Sequence, residues 1–328
     1  MHLYCREFST FDTIYIGGGT PSLLSPEKIE QLLNNVARCF NIVPQAEVTL
    51  EANPCDITLA KARLFKKIGI NRISLGIQSF DSSVLKFLGR RHSSEKALTA
   101  ISDCRQAGFD NISIDLLYGI PGQKLTTWQR CLTRAADLEP EHISCYQLTV
   151  KCNTPLWHRI NTGTLTMPTD DKQAAFFYAT AALLEKRGYR HYEISNFARS
   201  CRLFSAHNMK YWHHAPYLGL GPSAHSFRDS MRWWNCPSTD RYCNTLARGG
   251  RPVAGREKLT DEQLRLETLF LRLRTREGIS LRTLKSYSTP EKMLTRLVQD
   301  NMLRIHDDRA IPTTKGFLLA DSIPLLLV

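Results

Sequence analysis

Residues 14–22 read IYIGGGTPS, a short β-branched segment running directly into three glycines. Without Cβ atoms such a loop can take positive φ and bring its carbonyls and amides against a ligand. Carbonyls suit an ammonium group and amides a carboxylate, so a zwitterionic amino acid would satisfy both. The pattern is neither GxGxxG nor a phosphate-binding P-loop, because no Lys-Ser/Thr follows it. A tight turn that only packs the next helix is the plain alternative. Further along, polar residues stand where strand-like stretches end: Glu51, Gln78, Asp115 and Thr149. Ligands of parallel α/β folds gather at such C-terminal strand ends. One polar strand end is often only a turn former; four in succession after a glycine loop point to a site.

The elements that must hold these residues alternate. Strands are expected over 13–16, 47–50, 72–77, 111–118 and 142–148. Helices are expected from Ser25-Pro26-Glu27 onward, where Ile29, Leu32, Leu33 and Val36 keep the helical period, and over 58–67, 94–106 and 126–137. Five strands with helical crossovers imply a parallel sheet. From about residue 151 the alternation breaks. A helix over 170–187 precedes HYEISNF and the aromatic, histidine-rich stretch SAHNMKYWHHAPYLGLGPSAHSF. ARGGRPVAGREK then reads as a linker. Thr260-Asp261-Glu262-Gln263 is a capping box for a helix, and LRIHDDRAIPTTKG resembles a hairpin. The expected organisation is a barrel-like region over 1–150, a flanking segment over 151–250, and a small winged-helix-like α+β domain over 256–328. The terminal IPLLLV reads as a docked tail.

Composition narrows the classes. The chain has 328 residues, 42% hydrophobic and 23% charged, which is ordinary for a globular protein. No apolar run approaches the ~20 residues of a membrane helix, and no signal peptide is visible. A cytoplasmic location is expected, with peripheral membrane association left open. The formal charge of +12 allows a nucleic-acid partner, but Lys and Arg are dispersed, and a solvated surface attracting anionic small molecules is the plainer reading. The ten cysteines contain neither CxxC nor CxxxCxxC, so their spacing marks no metal site and reduced thiols are expected.

Seven motifs occur in order: GGGTPS, EANP (51–54), RISLGIQSF (72–80), LGRRH (88–92), IDLLYGIPGQ (114–123), HYEISNFA (191–198) and HNMKYW (207–212). Together they resemble the oxygen-independent coproporphyrinogen oxidase group of radical S-adenosylmethionine (SAM) proteins, over nearly the whole chain. The resemblance implies a partial (β/α)6 barrel, here lacking its first strand, with bound SAM and a [4Fe–4S] cluster. It assigns Gly18, Gly19, Thr20, Glu51, Gln78, Arg90 and Asp115 to SAM. That donor set suits a sulfonium amino acid: carbonyls and carboxylates for the cation, a guanidinium for the carboxylate, acids and amides for the ribose. For Arg90 the plain alternative is a surface charge beside Arg91.

The group has two branches. One oxidatively decarboxylates coproporphyrinogen III in porphyrin biosynthesis. The other, HemW, is a haem chaperone that binds haem and passes it to acceptor haem proteins. The HNxxYW motif is associated with the chaperone branch, which makes His207, Asn208, Tyr211 and Trp212 the expected haem site, with Lys210 near the propionates and His213, His214 and His225 as further iron ligands. Aromatic residues offer flat apolar surface and imidazole a common axial ligand. Buried core aromatics with hydrogen-bonded histidines are the alternative. The family's cluster cysteines, CxxxCxxC, lie upstream of GGGTPS. Only Cys5 precedes Gly17 here, so this chain is expected to begin no radical chemistry and to leave the 13–16 strand as a sheet edge; a truncated sequence is the expected cause, with a naturally clusterless derivative as the alternative. No residue of it is expected to act as a catalyst or, haem iron aside, as a metal ligand.

Overall fold

The computed structural model describes residues 1–287 and 291–328. These pack as two compact units. One comprises Ile14–Glu30 and Glu47–Phe204; the other comprises Met1–Thr13, Gln31–Ala46 and Ser205–Val328.

Strands β1 (Thr10–Ile16), β2 (Asn41–Ala52), β3 (Arg72–Gln78), β4 (Ile112–Tyr118), β5 (His142–Gln147), β6 (Arg190–His191) and β7 (Asn196–Ala198) form one sheet of order β1-β2-β3-β4-β5-β7-β6. The pairs β2–β3, β3–β4 and β4–β5 are parallel, as the alternation predicts. Leu50, Ile73, Leu75, Ile112, Ile114, Leu116 and Ile143 are fully buried. Such near-continuous apolar strands belong to a sheet covered on both faces. The crossover helices are bounded by local chemistry. Thr58 caps Leu59–Lys67 and Ser93 caps Ser94–Gln106 through their side chains, while Gly69 and Gly108 follow the ends at positive φ. Strand β1 lies at one end of the sheet order, the edge position expected of it. HYEISNFA had no strand expectation. It supplies β6 and β7, which close the other end antiparallel and are too short for a period to register.

In the other unit, β8 (His225–Arg228), β9 (Met231–Asn235) and β10 (Val253–Lys258) form an antiparallel sheet. The expected linker ARGGRPVAGREK therefore supplies a strand. Its Gly255 packs so closely on the Trp234 ring that a Cβ would collide with it, so this glycine serves packing rather than flexibility. Toward the C-terminus, β11 (Ile279–Ser280), β12 (Leu303–His306) and β13 (Arg309–Pro312) form a second antiparallel sheet of order β11-β13-β12. Asp307 and Asp308 join β12 to β13 with both φ positive, the two-residue turn that matches strand twist. The capping box at Thr260 is present in full and opens the helix Asp261–Arg272. Leu269, Leu273, Ile279, Leu284, Leu297 and Leu303 form the core here. Ile323 and Leu327 of the tail insert into it, as a docked segment would.

Candidate functional site

The glycine loop leaves β1 beside Glu51. The Tyr15 hydroxyl donates to Glu51 Oε1 at 2.7 Å, and the Gly18 amide donates to Oε2 at 3.2 Å. The three glycines are required for different reasons. A Cβ on Gly17 would lie 2.7 Å from the Tyr15 ring and 2.9 Å from Glu51 Oε1. Gly18 and Gly19 instead need φ of +80° and +84°, and a Cβ on either would meet nothing within 4 Å. The loop is therefore closed against Glu51 on one side and open on the other. Thr20 follows, half-buried, as the residue preceding the short turn Pro21–Leu23.

The motifs named from sequence interlock around this loop. Buried Ser22 donates to Asp56 Oδ2 at 2.8 Å and accepts from the Asn53 amide at 3.0 Å, tying GGGTPS to the segment after Glu51. Arg91 reaches the same Asp56 at 3.5 Å. Arg90 is exposed, and among the described residues no carboxylate lies within ion-pair distance of it. Of the two arginines, Arg91 thus has the structural partner. His92 Nε2 meets the Ile77 carbonyl at 2.9 Å, pinning LGRRH to the end of β3. There Gln78 has φ of +68°, strained for a non-glycine residue, at the point where the β3–β4 register shifts. Gly76 accommodates the Gln78 amide nitrogen, which a Cβ would approach to 3.0 Å.

Glu51 pairs in register with Ser74, and Asp115 with Ser144. The Ser74 hydroxyl lies 3.0–3.1 Å from both Asp115 oxygens. Burial raises the Asp115 carboxyl above its ordinary range; the Ser144 and Ser74 hydroxyls oppose this, and Glu51 reinforces it. Burial and then Glu51 raise the Tyr15 phenol, so it stays a donor. One step outward, buried His142 shares hydrogen bonds with Ser113 and with the Tyr192 hydroxyl, both at 2.8 Å. Burial, then Arg72, holds this imidazole well below its usual value, hence neutral. Thr149 lies beyond β5 and is exposed, apart from this row.

In the second unit, Ser205 caps the helix Ala206–Trp212, accepting from the Asn208 amide. The ring of His207 spans two partners, Thr13 Oγ1 at 3.0 Å and the Tyr211 hydroxyl at 2.9 Å. Lys210 pairs with Asp12 at 2.6 Å. Tyr211 is 38% exposed and packs edge-on to both His207 and Tyr217; burial and Tyr217 push its phenol up to about 12. The rings continue through Tyr217 and Phe227 to His214, which stacks on Phe227. Half-buried Trp212 has an indole N–H without a partner. Among the further histidines, His213 meets Glu277 at 2.7 Å and His214 meets Glu267 at 3.4 Å. His225 is exposed and stacks on Trp234.

Sequence reasoning missed Tyr15, Ser74 and Thr13. A signal existed for one of them: Tyr15 stands two residues before Gly17, on the strand that runs into the loop, whereas the register shift between Leu75 and Gln78 breaks the alternation that would link Ser74 to Gln78. Thr13 meets His207 from 194 positions away, which no spacing reveals.

Residues 4–134 match the model of the Radical SAM superfamily, and residues 259–319 match that of the HemN C-terminal domain. The Heme chaperone HemW of Mycobacterium tuberculosis is 36% identical over 317 residues, covering 96% of this chain and 80% of that one. The Heme chaperone HemW of Bacillus subtilis is 35% identical over 269 residues, covering 82% of this chain and 71% of that one. Among solved structures, coproporphyrinogen III oxidase (HemN) from Escherichia coli superimposes with a TM-score of 0.82 at 22% identity, covering 97% of this chain and 78% of that one. The last likeness fixes the α/β half-barrel fold.

Proposed function

The chain belongs to the HemW family of radical SAM proteins, and we propose that it binds haem and delivers it to acceptor haem proteins, with SAM held at the glycine loop. The observation that carries the haem half is the exposed ring of Tyr211 at the head of a run of aromatic side chains, on the helix that carries HNMKYW. Such a surface accepts a flat apolar macrocycle. Both ring nitrogens of His207 are engaged, so ligation of iron by His207 requires its bond to Tyr211 to open. Lys210 is already paired with Asp12 and would have to exchange that partner for a propionate.

The SAM half is supported by fit. Gly18 and Gly19 present open backbone, Glu51 is oriented by Tyr15 and the Gly18 amide, and Arg90 offers a guanidinium with no carboxylate of its own. Bound there, SAM supplies a sulfonium centre. Glu51 and the loop carbonyls would face its ammonium, Arg90 its carboxylate, and Gln78 and Asp115 its more distant polar groups. The [4Fe–4S] cluster of the family does not fit this chain, whose ten cysteines contain no CxxxCxxC. No step is assigned to it.

Two assays, haem transfer by the purified chain and decarboxylation by a cluster-bearing form, decide between the branches. Haem-loaded protein mixed with an apo haem protein should restore the acceptor's spectrum. The decarboxylase reading predicts instead that a full-length, cluster-bearing form converts coproporphyrinogen III to protoporphyrinogen IX with SAM and reductant. Conversion without transfer would overturn the chaperone reading.

A further inference from the structure

Within one unit, the segments Met1–Thr13 and Gln31–Ala46 bring together three soft ligands that no spacing in the sequence connects. His2, Cys5 and Cys39 each place one potential donor atom within 4.8 Å of the other two, and among the described residues no other group of three His, Cys, Asp or Glu side chains does so. We propose that these residues form a binding site for one soft divalent cation, with zinc as its representative.

The geometry matches the ion. Around tetrahedral zinc, bonds of about 2.3 Å to sulfur and about 2.0 Å to nitrogen put neighbouring donors roughly 3.5–3.8 Å apart. Cys39 Sγ lies 3.6 Å from His2 Nδ1 and 3.7 Å from Nε2, so a small ring rotation aims either nitrogen at a shared centre. The scaffold is set by packing. Cys5 closes the short turn His2–Tyr4, and Cys39 ends the helix Pro26–Cys39. Tyr4 and Phe40, the buried neighbours of the two cysteines, belong to one apolar cluster with Phe8 and Trp233. That cluster fixes both backbones, and Cys5 and Cys39 pack against its edge. Both cysteines are half-buried and His2 is exposed, which leaves a fourth position to water.

Two adjacent thiols repel as thiolates; a divalent ion between them reverses the sign and releases their protons. The site is independent of the glycine loop and of the haem face, so its failure would leave the functional proposal untouched.

The test uses the full chain carrying no N-terminal tag, stripped with a chelator under reducing, anaerobic conditions. Titration with Co2+ should give a sulfur-to-cobalt charge-transfer band that saturates at one equivalent, and Zn2+ should displace it. Loss of an outer partner of a metal ligand already weakens binding about 10–100-fold. Cys5→Ser and Cys39→Ser should therefore lose more than about tenfold in affinity, and His2→Ala should lose affinity while keeping a band. Cys152→Ser, at an exposed cysteine elsewhere, should leave the titration unchanged. Circular dichroism of each variant separates metal loss from misfolding. No band, or a band that survives in both Cys5→Ser and Cys39→Ser, overturns the site. So does a Cys5–Cys39 disulfide that persists under reductant.

Discussion

At Gly17, Gly18 and Gly19 the same residue type answers two different demands, and substitution separates them. Alanine at position 17 would press on Tyr15 and Glu51, the pair that shapes the loop. Gly17→Ala should therefore weaken SAM binding by more than about tenfold, roughly 1.4 kcal/mol, measured by calorimetry; unchanged affinity would remove Glu51 from the site. Alanine at position 18 has room but is held left-handed, which costs about 1–2 kcal/mol of stability. Asp115 gives a pH signature. Its folded-state value is raised, so the neutral carboxyl stabilises the fold at acid pH, and that stability is lost as pH rises from about 4 through the raised value. Asparagine stays neutral and still accepts from Ser74. Denaturant midpoints should therefore show Asp115→Asn gaining on the parent chain as pH rises from about 4 through the raised value, and a pH-independent difference would contradict the burial argument.

Elements deliver these groups through contacts that can be cut singly. His142 ties β5 to Ser113 of β4 and, through Tyr192, to the segment leading into β7. Tyr192→Phe leaves a buried imidazole nitrogen short of a partner and should cost about 1–3 kcal/mol by chemical denaturation. A loss nearer zero would mean the fold repairs the gap. The parallel core was legible because its strands and helices are long enough to show their periods, and because Thr58, Ser93 and Thr260 stand at helix starts with capping side chains. The three strands β8, β9 and β10 were not. Gly255 and the arginines around it read as a flexible linker, and only the Trp234 ring pressed against Gly255 explains them. The glycine loop and the polar strand ends were legible as residue types. Of their supporting hydroxyls, Tyr15 was visible only as a periodic neighbour, and Ser74 was hidden by the register shift in β3. The Thr13 partner of His207 was not visible at all, because it comes from the far end of the chain.

At the scale of the whole molecule, the chain joins a radical SAM half-barrel fold to a unit whose helix Ala206–Trp212 carries HNMKYW. Among the described residues no helix is long and apolar enough to cross a membrane. The central claim is that haem docks on the aromatic face of that helix. Titration of the purified chain with haemin, followed in the Soret region, tests it most directly against the Tyr211→Ala/Trp212→Ala double variant. The account predicts a saturable Soret shift in the parent chain and a markedly weaker one in the variant, with both folded by circular dichroism. Equal titrations of the two would place haem elsewhere and contradict it.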